Sequence, residues 1–158
     1  MAIELVRNHL KKYGKADEIM EFEASSATVE LAAKVLGCEP AEIAKTLTFR
    51  TGDDALLVVV SGDAKIDNAK FKNTFGVKAK MLTPEEVLRF TGHEVGGVCP
   101  FGLIHPLRVV LDESLKRFEH IYPGCGSDNS MIKLSLEEME RFSGAEEWVD
   151  VCKLATQS

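Results

Sequence analysis

Apolar residues recur along this chain in two rhythms, and the change from one to the other divides it into elements. Ile3, Val6, Leu10 and Tyr13 recur at helical spacing and Gly14 follows as a stop, which predicts an N-terminal helix. Residues 18–23 alternate, with Ile19 set apart from its neighbours and Phe22 near the end, and predict a short strand. Ser25, Ser26 and Thr28 offer N-caps for a second helix that carries Val29, Ala32, Ala33 and Leu36 on one face and ends at Gly37. Pro40 suits the first position of a very short third helix over residues 41–44. Residues 46–50 and 55–61 are rich in β formers, and Thr51-Gly52-Asp53-Asp54 between them reads as a hairpin turn.

Later helices announce themselves by their starts. Asp67 caps one that runs to about Phe75, with Ile66 and Phe71 at the spacing of a hydrophobic staple. Thr83-Pro84-Glu85-Glu86 is a capping box with proline at the first helical position, stapled by Leu82 and Val87. Ser135-Leu136-Glu137-Glu138 repeats the device with Leu134 and Met139, and Gly144 ends that helix. Strands are predicted at 77–81, 107–112, 119–122, 130–134 and 147–151. No repeat, low-complexity tract or linker interrupts the order. Hairpins mixed with helices predict one α+β or mixed α/β domain over residues 1–158.

The 158 residues, 45% hydrophobic and 28% charged, suit one soluble globular domain with a real core. No apolar run reaches the length of a membrane span and the start lacks the pattern of a signal peptide, so a cytoplasmic protein with no membrane partner is expected. Cys38, Cys99, Cys125 and Cys152 are far apart, which predicts free thiols. His9, His93, His105 and His120 show no ligand spacing, and no metal site is expected. The net charge of −6 excludes a protein that wraps nucleic acid, since phosphate contacts call for a basic excess. If the chain acts on a nucleic acid, it touches only a small part of one.

Candidate chemistry concentrates in Val95-Gly96-Gly97-Val98-Cys99-Pro100-Phe101-Gly102-Leu103. Three glycines and a proline forbid regular structure, while the apolar residues pack the loop against the domain. Paired glycines expose backbone N–H groups and let a ligand approach closely. Lys45, flanked by apolar residues where the short helix hands over to a strand, either snorkels to water or points its ammonium into a cleft. Cys99 reads as a small buried thiol or as a nucleophile; His93 and His105 flank the loop without a recognisable catalytic spacing. The turn Tyr122-Pro123-Gly124-Cys125-Gly126-Ser127-Asp128-Asn129 is either a connection or a wall of the same pocket. Lys70, Lys72, Lys78 and Lys80 are a solvated face or phosphate contacts.

Four segments together resemble the YbaK/ProX family of aminoacyl-tRNA deacylases, which is similar to the editing insertion domain of bacterial prolyl-tRNA synthetases. They are Ala44-Lys45-Thr46-Leu47, Val58-Val59-Val60-Ser61-Gly62-Asp63, Gly92-His93-Glu94-Val95-Gly96-Gly97-Val98-Cys99-Pro100-Phe101-Gly102 and Gly124-Cys125-Gly126-Ser127. The resemblance implies a mixed α/β fold with a largely antiparallel central sheet. It makes Lys45 the functional lysine and Gly96, Gly97, Val98, Cys99 and Pro100 the loop that shapes the substrate pocket. Phe22, Val29 and Thr46 are candidate walls, and Ser127 a further contact.

The implied reaction is hydrolysis of the ester joining a wrong small amino acid (2-aminobutyrate, alanine, cysteine or serine) to the 3′ end of tRNA, with tRNA(Pro) the expected carrier. It implies no metal, no cofactor and no protein nucleophile, because the substrate's own 2′-hydroxyl takes part. The acceptor end of mischarged tRNA is the implied partner, with prolyl-tRNA synthetase as a further one. Two departures stand out. Position 99 is cysteine where many relatives have serine, and residues 24–28 lack the His-Pro-rich form of the alanine-specific branch. Two other classes stay open: a non-catalytic module that binds nucleic acid or protein, and a hydrolase dependent on Cys99.

Overall fold

A computed structural model of the chain describes residues 2–26 and 28–154. Ala27 of the 24–28 segment and both ends of the expected 1–158 unit therefore lie outside the described residues. Helix α1 (Ala2–Lys11) buries Val6 and Leu10, and a short strand β1 (Met20–Glu21) follows. In α2 (Val29–Leu36) the Thr28 side chain accepts from the N–H of Leu31, and Gly37 closes the helix at φ +71°. The expected third helix is only a 3-10 turn, Pro40–Glu42. The chain is already extended at Ile43, because β2 (Ile43–Thr51) pairs there with its neighbours. Lys45 is thus a strand residue and not a boundary one.

Strand β3 (Asp54–Ser61) returns through the two-residue turn Gly52-Asp53 and pairs antiparallel with β2 from Thr51–Asp54 to Ala44–Ser61. A strand β4 (Ala64–Ile66), which the pattern did not predict, leads into α3 (Asn68–Phe75), whose cap Asp67 accepts from Ala69 and Lys70. Residues 77–81 form no strand; one bridge joins Met81 to Phe49. Helix α4 (Pro84–Thr91) starts in the expected capping box, with Thr83 and Glu86 exchanging bonds. Then come β5 (Arg108–Asp112), β6 (His120–Pro123), β7 (Ser130–Met131), β8 (Leu134–Ser135), α5 (Leu136–Ser143), β9 (Glu147–Val149) and β10 (Cys152–Leu154). Three of the predicted strands form only in part: 18–23 keeps Met20–Glu21, 130–134 divides into β7 and β8, and 147–151 stops at β9. The pairing partner changes from β1 to β6 within the second stretch, and from β5 to β4 just beyond the third, where β10 begins.

The main sheet has the order β8-β6-β2-β3-β5-β9, and β1–β7 and β4–β10 make two small side sheets. The expected mixed α/β class is the one found. Its longest ladder, β2–β3, is antiparallel, as is β6–β8, but β2–β6, β3–β5 and β5–β9 join in parallel. The central sheet is therefore more evenly mixed than the expected largely antiparallel one. Central β3 is buried from Ala55 to Ser61 because both faces are covered. Leu57 and Val59 pack with Val6, Leu10 and Phe101, while Leu56, Val58 and Val60 pack with Phe71 and Val151.

Candidate active site

The edge of β2 that faces away from β3 is only partly covered. Strand β6 pairs with it at Ile43 and Ala44 and then departs. Beyond, the Leu82 N–H donates to the Thr48 carbonyl at 3.1 Å, and Arg50 N–H donates to the Lys80 carbonyl at 2.8 Å. On this edge, between these two supports, no strand among the described residues runs beside Lys45, Thr46 and Leu47. In an antiparallel ladder alternate residues turn both backbone groups outward. Thr48 and Arg50 do so here, and the same parity aims the N–H and C=O of Thr46 into the gap.

A cavity of about 320 Å³ occupies that gap. Lys45 and Thr46 line one side, Gly96, Gly97 and Val98 the other, and Val29 the end near α2. Six of the ten predicted site residues therefore meet around one space. Lys45 is half-buried, and its ammonium makes no hydrogen bond or ion pair among the described residues. Burial pushes its pKa below the ordinary lysine value; the acidic groups around it, Cys152, Asp63 and Glu30, pull upward without cancelling that. Asp63 is not available as a partner. The Arg117 guanidinium grips both its carboxylate oxygens at 3.0 and 2.5 Å, and Ser61 Oγ donates to it at 2.7 Å. These bonds hold Asp63 below the usual carboxylate range.

Thr46 is 9% exposed, and its Oγ1 is the one buried side-chain polar atom among the described residues that lacks a hydrogen-bond partner. Leaving such a group unpaired costs about 1–3 kcal/mol. Opposite it, Gly97 N–H donates to the Glu94 carbonyl and Cys99 N–H to His93, while the N–H groups of Gly96 and Val98 make no hydrogen bond among the described residues. The cavity is thus lined by the lysine and by the two residues with free amides, while the Thr46 hydroxyl is closed off from solvent beside it.

The remaining four predicted residues do not line this cavity, although Ser127 lines a second one on the other side of the turn. Cys99 and Pro100 lie buried behind the loop, not on the cavity. Cys99 has no exposed surface, and burial pushes its thiol up to about 12. Phe22 packs with Ala32, Ala33 and Met131 and stands behind the cavity wall. Ser127 turns its hydroxyl inward to Asn129 at 2.9 Å and Ser130 at 2.6 Å, because that turn satisfies its own polar groups. Gly97 does not have a left-handed backbone; its need for glycine comes from packing, since a Cβ there would stand 2.5 Å from Ser127 N.

The pattern missed His93. Its ring is fully buried, its Nδ1 accepts from Cys99 N–H at 3.2 Å and its Nε2–H donates to the Gly102 carbonyl at 3.3 Å. Burial lowers its pKa, which keeps Nδ1 an acceptor. One neutral imidazole therefore fastens the second half of the glycine loop at Cys99 and Gly102. Its position just after Gly92, the glycine that ends α4, was the available signal; the spacing rules for catalytic histidines do not describe a fastener.

The model for the aminoacyl-tRNA editing domain matches residues 23–142. The uncharacterized protein YwhH of Bacillus subtilis (strain 168) is 53% identical over 154 residues, 97% of this chain and 98% of that protein. The proline–tRNA ligase of Geobacillus sp. (strain WCH70) is 31% identical over 110 residues, 66% of this chain but 19% of the ligase, so the likeness spans a small part of that enzyme. A crystal structure described as a candidate trans-editing enzyme for prolyl tRNA synthetase superposes with a TM-score of 0.87 at 30% identity, over 96% of this chain and 97% of the other.

Replacing His93 by Phe removes both fastening bonds and leaves the Cys99 N–H buried without an acceptor. The urea midpoint should fall by the equivalent of about 1–3 kcal/mol, and the Cys99 amide should exchange its hydrogen faster. An unchanged midpoint and exchange rate would mean that packing alone holds the loop.

Proposed function

This chain belongs to the aminoacyl-tRNA editing domain family, and from that premise we propose that it is a free-standing deacylase. In this reading it hydrolyses the ester of a small non-cognate amino acid on tRNA, with tRNA(Pro) as the carrier. The observation that carries the reading is a half-buried lysine, Lys45, whose ammonium has no ion pair among the described residues and which lines one cavity with the Gly96-Gly97-Val98 turn.

The chemistry needs little else. Water attacks the ester carbonyl carbon, and the carbonyl oxygen becomes an oxyanion. The vicinal 2′-hydroxyl relays the proton from water to the departing 3′-oxygen, leaving a free amino acid and an uncharged 3′ end. Preorganised amides and an ammonium in a partly dry site stabilise such an oxyanion far better than water does. Lys45 supplies charge and orientation as an ammonium and does not act as a base. The buried Cys99 thiol is outside the cavity, so it takes no covalent part.

The cavity favours small acyl groups: alanine, 2-aminobutyrate, cysteine and serine. Attraction distinguishes neighbours in that series by only about 1–3 kcal/mol per methylene. Rejection of proline rests on shape, since the loop that faces the acyl group is packed on backbone and cannot yield. With a net charge of −6, the chain grips the acceptor end alone, and a synthetase such as the prolyl enzyme can deliver the tRNA.

A deacylation screen on tRNA(Pro) charged with alanine, 2-aminobutyrate, cysteine, serine or proline tests the reading. Release of the small residues with proline spared is expected; efficient release of proline would sink it. Lys45→Ala should lower turnover on the preferred ester about a hundredfold or more with little change in Tm. Near-normal turnover in that variant would reduce Lys45 to a solvated charge. Cys99→Ser should stay active, and a trapped acyl-thioester on the unmodified protein would instead install Cys99 as nucleophile. Because a Cβ on Gly97 meets the Gly126-Ser127 backbone and not the cavity, Gly97→Ala should lower all accepted esters alike. A loss confined to the larger side chains would show that the methyl group enters the acyl space.

A further inference from the structure

A second cavity, about 620 Å³, lies on the other side of the glycine turn and shares Gly96 and Gly97 with the first. Its walls are aliphatic: Leu5 from α1, Leu88 from α4 and Ile104 after the loop, all exposed. Its rim carries the carboxylates of Glu94 and Asp128, neither of which has an ion pair among the described residues. Three left-handed glycines set the walls in place. A Cβ on Gly92 would stand 2.6 Å from Ile104 Cγ2, on Gly102 2.5 Å from the Leu5 backbone, and on Gly126 2.8 Å from the Ala2 carbonyl oxygen. The space is therefore fixed by close backbone approaches, and the aliphatic surface it leaves open is not a product of loose side chains.

Resting on the deacylase reading, we propose that this second cavity receives the base of the terminal adenosine while the acyl group occupies the first. Continuity argues for it. Gly96 is exposed and has no side chain, so a ribose can lie across it and place base and ester in the two cavities at once. Charge argues for the same occupant. Two unpaired carboxylates repel phosphate but accept from an exocyclic amine, so the base enters and the 5′-phosphate points away. Flat walls of Leu5, Leu88 and Ile104 suit the face of a purine, and a base packed on protein is worth about 1–3 kcal/mol.

The test uses the full chain and separates this proposal from the reading beneath it. Methyl NMR with adenosine should shift Leu5, Leu88 and Ile104, and the base-free methyl riboside should shift none of them. Kinetically, the alanyl ester of adenosine should react about tenfold faster in kcat/KM than that of the riboside. The inosine ester, which lacks the exocyclic amine, should fall between them. Leu88→Ser should narrow the adenosine-to-riboside ratio. Absent methyl shifts, or equal rates for adenosine and riboside esters, overturn the proposal even if mischarged tRNA is hydrolysed. Methyl shifts without hydrolysis of any mischarged tRNA would retain the nucleoside site and fell the deacylase reading. Concentration-dependent self-association that Leu88→Ser abolishes, with no adenosine shift, would make the patch an interface between two copies.

Discussion

Everything at the site depends on one strand being held firmly from one side only. The ladder between β2 and β3 runs without a break from the Thr51–Asp54 turn to the Ala44–Ser61 pair, and β3 is buried on both faces. That burial lets the other edge of β2 lose its neighbour for three residues without the strand fraying. In an ordinary sheet interior Thr46 would give its backbone groups to a partner strand. Here no strand stands beside them among the described residues, and the neighbouring lysine is carried on a rigid element, which positions a charge better than a loop does.

The opposite wall solves a different problem. A loop with free amides needs rigidity without regular structure, and it obtains this from close contacts and a buried ring. Gly97 lies against the Gly126-Ser127 backbone, Gly126 N–H donates to the Gly97 carbonyl at 2.9 Å, and His93 ties Cys99 and Gly102. The two glycine-rich segments that the pattern marked separately are thus one assembly. Ser127 serves it from within, by bonds to Asn129 and Ser130, and the Asn129 side chain in turn donates to the Phe22 carbonyl at 2.7 Å.

What could be read from the chain follows from the range of each signal. Helix starts are local, and Thr28, Asp67, Thr83 and Ser135 all cap as their side chains and spacing imply. The Gly52-Asp53 turn is equally local. Lys45, Thr46, Val29 and residues 96–98, far apart in sequence, line one cavity, and only the resemblance joined their segments beforehand. Periodicity alone left Lys45 at an element boundary, since it does not show where a neighbouring strand departs. Residues 77–81 have strand composition, but Ala79 alone turns inward while Lys78, Lys80 and Met81 stay exposed, and only one bridge forms. Cys99, Pro100 and Phe22 stand away from that cavity and Ser127 lines the second one, for a shared reason. Sequence distance to a motif does not say which face of the loop a side chain takes.

The arrangement of charge completes the argument. A half-buried lysine normally acquires a carboxylate, and Asp63 lies near enough to influence Lys45. Arg117 takes Asp63 instead, with a planar two-point grip that a single ammonium cannot match. The ammonium is left partly desolvated and unneutralised, a state that costs stability in the free protein. Binding an anionic or developing oxyanionic group relieves that cost, so the interaction strengthens most where negative charge appears during reaction. On the proposed deacylase reading, a chain with a net charge of −6 acts on a polyanion through one unneutralised positive charge at the reacting ester, and no broad basic surface is needed at that point.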